Sequence, residues 1–587
     1  MIKRIFDLHQ HQLDNYPKED ALTAKINGKW EPISTQTFME QSKSFASALL
    51  ELGLSKDDKV AIISNNRPEW HISDLGIMYA GMINVPIYPT ITEDDYEFIM
   101  NNAEVKLCFV SDEELYGKVK SIQSKVPSLQ EIYSYDQLSD CKHWTELLSL
   151  GKGKNEEKIE QIKSEIKEDD LATLIYTSGT TGNPKGVMLS HKNLVSNVVA
   201  SRERLPVSSD SKSLSFLPLC HVYERMVCYL YIYTGTSIYY AESLETIGDN
   251  LREVHPKVFT AVPRLLEKVY DKIVAKGSEL KGIKRALFFW ALSLGQRYEL
   301  NGKNGGWYEF QLKLANKIIF SKWREALGGE TKAVASGAAA LQPRLARVFL
   351  AAQIPVMEGF GLTETSPVLA VNEENNDGVR IGTVGRPLSN VQIKIAEDGE
   401  ILAKGPNVMM GYYKNETATK EVFTEDGWFK TGDIGEFVEG EFLKITGRKK
   451  ETFKTSGGKY IAPQLLENKM KESSFIEQIM VIGEGEKHPS AIIQPAFEFL
   501  QEWCRRKEIP YSSDQEMVLE QRIIDRIMKD VNEFNEGFAQ FERVKKIILA
   551  GTVWGIDTGE MTPTMKVKRR IILANYKDEI ENCYRGT

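Results

Sequence analysis

Short apolar runs that end in turn signals, each followed by a helical stretch, recur through the first half of this chain. They constrain its fold more than any other feature. "KVAII" (59–63) runs into "SNNRPEW", a turn and helix start. "HISDLGIMYAGMI" then reads as a buried helix and "NVPIYP" as the next strand, and "KLCFVSDEE" repeats the step. Parallel strands need a crossover between them, usually a helix. The alternation therefore predicts layered α/β architecture with substantial parallel sheet. The chain has 587 residues. One core serves roughly 100–200 residues, so several lobes are expected.

Residues 265–330 change character. They are rich in helix formers around a loop, "NGKNGG", and predict a largely helical insertion. After Asn390 come shorter strands with glycine turns, "VQIKIAEDGEILAKGP" and "EGEFLKITGR". Charged "GKGKNEEKIEQIKSEIKEDD" (151–170) reads as a solvated connector or surface helix. The expected organisation is a large multi-lobed N-terminal domain of layered α/β sheets, residues 1–449, and a small α/β C-terminal domain, 450–587.

Net charge of −8 argues against a nucleic-acid binder that relies on a basic surface. Six scattered cysteines contain no CxxC pair, so neither a disulfide framework nor a zinc site is expected. The N-terminal residues lack a signal-peptide core. The most apolar run, "ALFFWALSL" (286–294), is far short of the ~20 residues that span a bilayer. A cytoplasmic protein is expected, with peripheral contact to the inner membrane surface left open. The segment "KGIKRALFFWALSLGQR" (281–297) has two readings. Its basic residues and Phe-Phe-Trp cluster suit an interfacial helix, and the same pattern suits a helix packed on the protein body.

"YTSGTTGNPKG" (176–186) follows the buried-strand pattern "LATLIY". Glycines let a backbone bend sharply and bring N–H groups close to an anion. Thr177, Ser178, Thr180 and Thr181 add hydroxyl donors, and Lys185 adds a charge. Such a loop suits a polyphosphate. It is not a Walker A loop. Counting from Gly179, proline stands where that motif needs its second glycine, and Gly186 follows Lys185 in place of a hydroxyl residue.

"YTSGTTGNPKGVMLSH" resembles the phosphate-loop signature of the adenylate-forming superfamily: acyl-CoA synthetases, peptide-synthetase adenylation domains and luciferases. "EGFGLTET" (358–365), "GWFKTGD" (427–433), "TGRKKETFKTSGGKYIAP" (446–463) and "MTPTMKVKRR" (561–570) resemble its further motifs, in the family's order. The resemblance implies ATP, Mg²⁺ and coenzyme A. It implies that Thr177, Ser178, Gly179, Thr180, Thr181, Gly182 and Lys185 hold the β- and γ-phosphates. It gives Glu364 as a magnesium ligand, with Thr177 as the other metal contact. Glu358, Gly359, Phe360, Gly361 and Thr363 go to the nucleotide, with Phe360 facing adenine. "SGAAALQP" (336–343) resembles the segment along the adenosine and adds Gly337 and Ala338. Relatives often have Gly-Ala-Pro where this chain has Ala338, Ala339 and Ala340, which implies slight reshaping.

Asp433 resembles the acid that binds the ribose hydroxyls, and Arg448 the arginine beside it. Lys566 matches the adenylation lysine, and Glu364, Thr180 and Lys566 form the implied catalytic group. This chain has "TMK" where many relatives carry Ser-Gly-Lys. Ser456, Gly457 and Gly458 fall in the segment that lines the pantetheine channel. Lys450 sits where the superfamily places a hinge, which makes the C-terminal domain mobile.

Three features resemble the long-chain acyl-CoA synthetase branch: "LPLCHVYER" (217–225), the helical insertion, and the apolar, aromatic run "YERMVCYLYIYTGTSIYYAE" (223–242), which could line an acyl tunnel. Core packing is the ordinary role for any one tyrosine there. No carrier-domain serine motif follows Lys566, which favours coenzyme A as acceptor. The resemblance implies activation of a long-chain fatty acid to acyl-AMP with release of pyrophosphate, then transfer to coenzyme A. The alternative is a fatty acyl-AMP ligase that passes the acyl group to a carrier protein. Chain-length preference and oligomeric state stay open.

Overall fold

A computed structural model describes residues 2–177, 183–373, 376–556, 558–562 and 565–585. The chain divides into two compact units. The larger holds residues 1–394, 402–430 and 437–443; the smaller holds 395–401, 431–436 and 444–587.

The larger unit carries an eight-stranded and a nine-stranded sheet. "KVAII" forms the strand Lys59–Ile63, paired in parallel with Ile83–Pro86 and Val105–Val110. Side chains alternate across a strand, and here both faces are buried. Val60 and Ile62 join one core and Ala61 and Ile63 another. The middle strands of the nine-stranded sheet behave alike. Val258 and Ala333 face the same core as Val60, while Phe259 and Val334 face away. That shared core is filled by Pro68–Tyr79 and Val222–Thr234. In the first of these helices every residue but Glu69 is buried, and Pro68 starts it at a position that needs no N–H. The unit therefore has five layers, with helices between the two sheets and outside each. Fully burying one such aliphatic side chain stabilises by ~1.5–3 kcal/mol.

The "LPLCHVYER" segment lies in the middle layer. His221 caps the Val222–Thr234 helix, its Nδ1 accepting from Tyr223 N–H at 3.2 Å. Arg225 is wholly buried, ion-paired with Asp74, and donates to Thr173 Oγ1 (2.8 Å) and Tyr229 Oη (2.7 Å). Glu224 accepts from Ser215 and Thr260. Tyr229, Tyr231 and Tyr240 are buried core residues.

Helices occupy Pro263–Glu279, Gly282–Gln296, Gly306–Ala315 and Ser321–Ala326, with a π-helical turn at Asn316–Phe320. Phe288 is buried, and Phe289 and Trp290 pack half-buried against the same core. The aromatic cluster of 281–297 thus packs on the body, while Lys281, Ile283, Lys284 and Arg285 on the same segment stay exposed.

In the smaller unit, Ile476–Ile482, Ser490–Pro495 and Ile547–Leu549 form a sheet. Ile479 and Val481 face one core with the Gln521–Asn535 helix, and Met480 and Ile482 face a second with Trp554 and Ile572. All six cysteines are free thiols.

Candidate active site

In the larger unit, "LATLIY" and the run after the glycine-hydroxyl loop form an antiparallel hairpin, Leu171–Thr177 with Lys185–Ser190. Thr177 lies opposite Lys185 across it. Ser178, Gly179, Thr180, Thr181 and Gly182 lie outside the described residues. At Gly186 a Cβ would meet the Tyr176 ring at 3.0 Å, so the hairpin base has little room for a side chain.

A short strand, Gly411–Tyr412, pairs with the outer edge of this hairpin, Tyr412 opposite Val187. Tyr413 N–H donates to Gly186 O at 2.8 Å. The pairing puts the Tyr412 ring under the Lys185 ammonium, 5.0 Å from Nζ to the centroid. Tyr412 Oη donates to Glu364 Oε1 at 2.8 Å. Glu364 sits on a single 3₁₀ turn, Thr363–Thr365, which packs against the Lys185–Ser190 strand. Its carbonyl accepts from Met409 N–H at 2.8 Å. Thr177, Lys185, Tyr412 and Glu364 thus share one corner. Tyr412 was not legible in the sequence. "GYYK" carries an aromatic pair, but its partner is 48 residues away and is reached through a non-local strand pairing.

Glu364 continues from the strand Val356–Gly361, whose neighbour is Ala333–Ser336. Ser336 and Glu358 lie in register on these parallel strands. Gly337, Ala338, Gly359 and Phe360 therefore cluster at carboxyl ends of adjacent strands, where open α/β sheets bind ligands. Glu358 is buried, and desolvation pushes its carboxyl up to about 8, with the Leu341 backbone N–H partly opposing. Phe360 is half-buried, resting on a cluster that includes Leu369 and Leu388. Gly361 has no freedom, because a Cβ would lie 1.8 Å from Pro367 O. Ala338 takes φ +69. An alanine there costs roughly 1 kcal/mol that a glycine avoids. Replacement of glycine here is thus a backbone strain as well as an added methyl.

In the smaller unit, Asp433 is 4 % exposed. Its Oδ1 meets Arg448 Nε at 2.9 Å. Its Oδ2 is buried and takes no hydrogen bond from any described residue. Burial pushes the carboxyl above its ordinary value, opposed by the cations of Arg448 and Lys566. Those three side chains therefore share one electrostatic neighbourhood. Lys566 is exposed on a tight turn: its N–H donates to Thr562 Oγ1 (3.0 Å), and Thr562 N–H donates to its carbonyl (2.8 Å). Met565, the residue before it, takes φ +59, in the left-handed region.

Ser456, Gly457 and Gly458 form an exposed tip between the strands Phe453–Lys454 and Tyr460–Ile461. Gly458 takes φ +77, and its N–H donates to Thr455 O at 2.9 Å. Lys450 is exposed in a turn in which the N–H groups of Glu451 and Thr452 both reach Arg448 O.

The Leu171–Ser190 hairpin with Glu364 beside it, and the second cluster at carboxyl strand ends, give an α/β architecture with the strand-end position where such sheets take ligands. The chain belongs to the AMP-binding enzyme family: that family's model matches residues 9–413, and the model of its C-terminal domain matches 450–587. It is 33 % identical to the long-chain-fatty-acid–CoA ligase FadD15 of Mycobacterium bovis, over 98 % of this chain and 96 % of that protein. It is also 33 % identical to the long-chain-fatty-acid–CoA ligase ACSBG2 of Xenopus laevis, over 99 % of this chain and 83 % of that one. Among solved structures, a fatty acyl CoA synthetase of Mycobacterium tuberculosis matches with TM-score 0.64 at 18 % identity, covering 98 % of this chain and 99 % of the other. The adenylation domain of a carboxylate reductase from Mycobacterium chelonae matches with TM-score 0.77 at 20 % identity, covering 99 % and 91 %. These two likenesses concern the fold.

Proposed function

We propose that this chain is an ATP-dependent long-chain fatty acid–CoA ligase that releases AMP. One observation carries the reading: one-third identity, across nearly the whole chain, to proteins named for that reaction. The residues give it a mechanism. The fatty-acid carboxylate attacks the α-phosphorus of ATP, the bond to the β-phosphate oxygen breaks, and pyrophosphate leaves. The thiolate of coenzyme A then attacks the acyl carbon, AMP leaves, and the thiol proton passes to solvent. Negative charge gathers on the phosphates in the first step, so preorganised donors and cations lower its barrier.

In this reading Thr177, Lys185 and the loop between them hold the β- and γ-phosphates. The Glu358–Thr363 strand end and the Gly337–Ala338 turn hold the adenosine. Asp433 receives the ribose hydroxyls on its unpartnered oxygen, with Arg448 fixing the other. Lys566 bridges the substrate carboxylate and the α-phosphate. Mg²⁺ suits Glu364, a half-buried oxygen ligand beside the phosphate hairpin, with Thr177 as a second contact, since this ion takes few protein oxygens and keeps waters. Bound there, it neutralises phosphate charge. Ser456, Gly457 and Gly458 line the path of the pantetheine arm, and a turn about Lys450 exchanges them with Lys566 between the half-reactions.

Tyr412 acts through Glu364 as a positioning residue. A hydrogen bond to a charged group contributes ~1.5–3 kcal/mol. Tyr412→Phe should lower the rate of acyl-AMP formation about tenfold or more. It should also raise the Mg²⁺ concentration needed for half-maximal rate. An unchanged Mg²⁺ dependence would leave Tyr412 as packing alone.

The reaction is tested with acids from acetate to oleate, with and without coenzyme A, reading pyrophosphate and thioester. The ligase reading expects both products from long-chain acids, with thioester only when coenzyme A is present. Pyrophosphate without thioester would favour transfer to a carrier protein. No helix among the described residues is long and apolar enough to cross a membrane. Contact with the inner membrane surface therefore has to come from a surface element.

A further inference from the structure

The Gly306–Ala315 helix and the π-helical turn after it carry apolar side chains on both sides. Tyr308, Leu312, Ala315 and Phe320 face the core of the larger unit. The opposite side presents Trp307 (73 % exposed), Phe310 (59 %), Leu314 and Ile318 to solvent. Their spacing of three or four residues keeps them on one stripe. The Trp307 and Phe310 rings stack with centroids 5.6 Å apart. A contiguous exposed apolar stripe marks an interaction surface, whereas single exposed apolar residues do not.

The charge around the stripe identifies the partner. Residues 303–322 hold four lysines (Lys303, Lys313, Lys317, Lys322) and one acid, Glu309, in a chain whose net charge is −8. All four lysines are exposed, and Lys313 and Lys317 lie beside Phe310 and Leu314 in the sequence of the stripe. A basic border with Trp, Phe and Leu between is the composition of a helix that lies in the headgroup region of an anionic bilayer. Tryptophan favours that boundary, and lysine stems reach across it to the headgroups.

We infer that the solvent face of residues 306–318 docks this enzyme on an anionic lipid bilayer. Its benefit rests on the proposed long-chain substrate, which partitions into lipid, so a docked enzyme meets a higher local concentration of acid. The binding itself does not depend on that reading.

Co-sedimentation with phosphatidylglycerol–phosphatidylcholine vesicles, against pure phosphatidylcholine, tests the surface in the full chain. Wild type should partition to the anionic vesicles and lose that partition as salt rises. Trp307→Glu with Phe310→Glu should cut it at least tenfold, and so should Lys313→Glu with Lys317→Glu. Both variants should keep wild-type circular dichroism and wild-type thioester formation from albumin-delivered fatty acid. Absence of wild-type binding would overturn the inference, as would equal binding by the variants. A wild-type dimer in light scattering that the Trp307/Phe310 variant splits would assign the face to a second copy instead. Vesicle binding with no thioester from any acid would overturn the ligase reading and leave the docking surface standing.

Discussion

Lys566→Ala is expected to lose acyl-AMP formation by about 10²–10³-fold, the usual range when one preorganised electrostatic contact to a transition state is removed. The same variant should still convert supplied acyl-AMP and coenzyme A to thioester. Adenylation brings an anionic carboxylate against an anionic phosphate, and a cation between them acts most strongly as the new bond forms. Thioester formation expels AMP from an adenylate already made and does not need that bridge. Lys566 closes a turn whose preceding residue, Met565, adopts φ +59, in the left-handed region that favours glycine. Its cation also acts on buried Asp433, the residue proposed for the ribose. Pyrophosphate release and thioester yield from synthetic adenylate measure the two halves separately. Near-normal adenylation by the variant would move the lysine's role elsewhere.

Lys450→Pro should divide the half-reactions in the opposite sense. If the trapped orientation is the adenylating one, acyl-AMP and pyrophosphate should form near the wild-type rate, and thioester formation should fall by roughly a hundredfold or more. Two chemistries act on one acyl group, and Lys566 and the Ser456–Gly458 tip both belong to the smaller unit. Each must face the adenylate at a different step, so a rotation of that unit is the economical arrangement. Lys450 is exposed in a turn held by two N–H groups converging on Arg448 O. Proline fixes φ near −65° and removes an N–H, so it denies the turn a second conformation. Lys450→Ala should be mild in both halves, because the effect lies in backbone freedom and not in the ammonium. Equal loss of both half-reactions in a well-folded proline variant would count against the hinge.

Strands such as Lys59–Ile63 were legible because they are buried on both faces. "KVAII" is apolar after its first residue, and the structure sends Val60 and Ile62 one way and Ala61 and Ile63 the other. Strand order was not legible. Leu22–Ile26 pairs with Ser237–Tyr240, and Gly411–Tyr412 with Lys185–Ser190. Pairings across 200 residues leave no mark in local periodicity. Composition gives an apolar stripe but not the side that faces the core, and in the Phe-Phe-Trp cluster it is Phe288 that turns inward. The stripe that does face solvent begins at Trp307, one helix later. Motif order pointed to Glu364 and Asp433, and the structure sets the first on a 3₁₀ turn beside the Lys185–Ser190 strand and buries the second. The backbone strain at Ala338 and Met565 could be seen only with the dihedral angles.

The buried Oδ2 of Asp433 has a consequence for the choice of sugar. On the proposed assignment this oxygen, which takes no hydrogen bond from any described residue, accepts from a ribose hydroxyl. A 2′- or 3′-deoxynucleotide would fill the same space and leave that acceptor short of a donor. Sites that hydrogen-bond a substrate hydroxyl reject analogues lacking it far more strongly than apolar pockets reject a missing methylene. Discrimination between ribo- and deoxyribonucleotide would then come from the penalty on the wrong sugar as much as from attraction to the right one. A single buried carboxylate would separate the cell's energy currency from its DNA precursors.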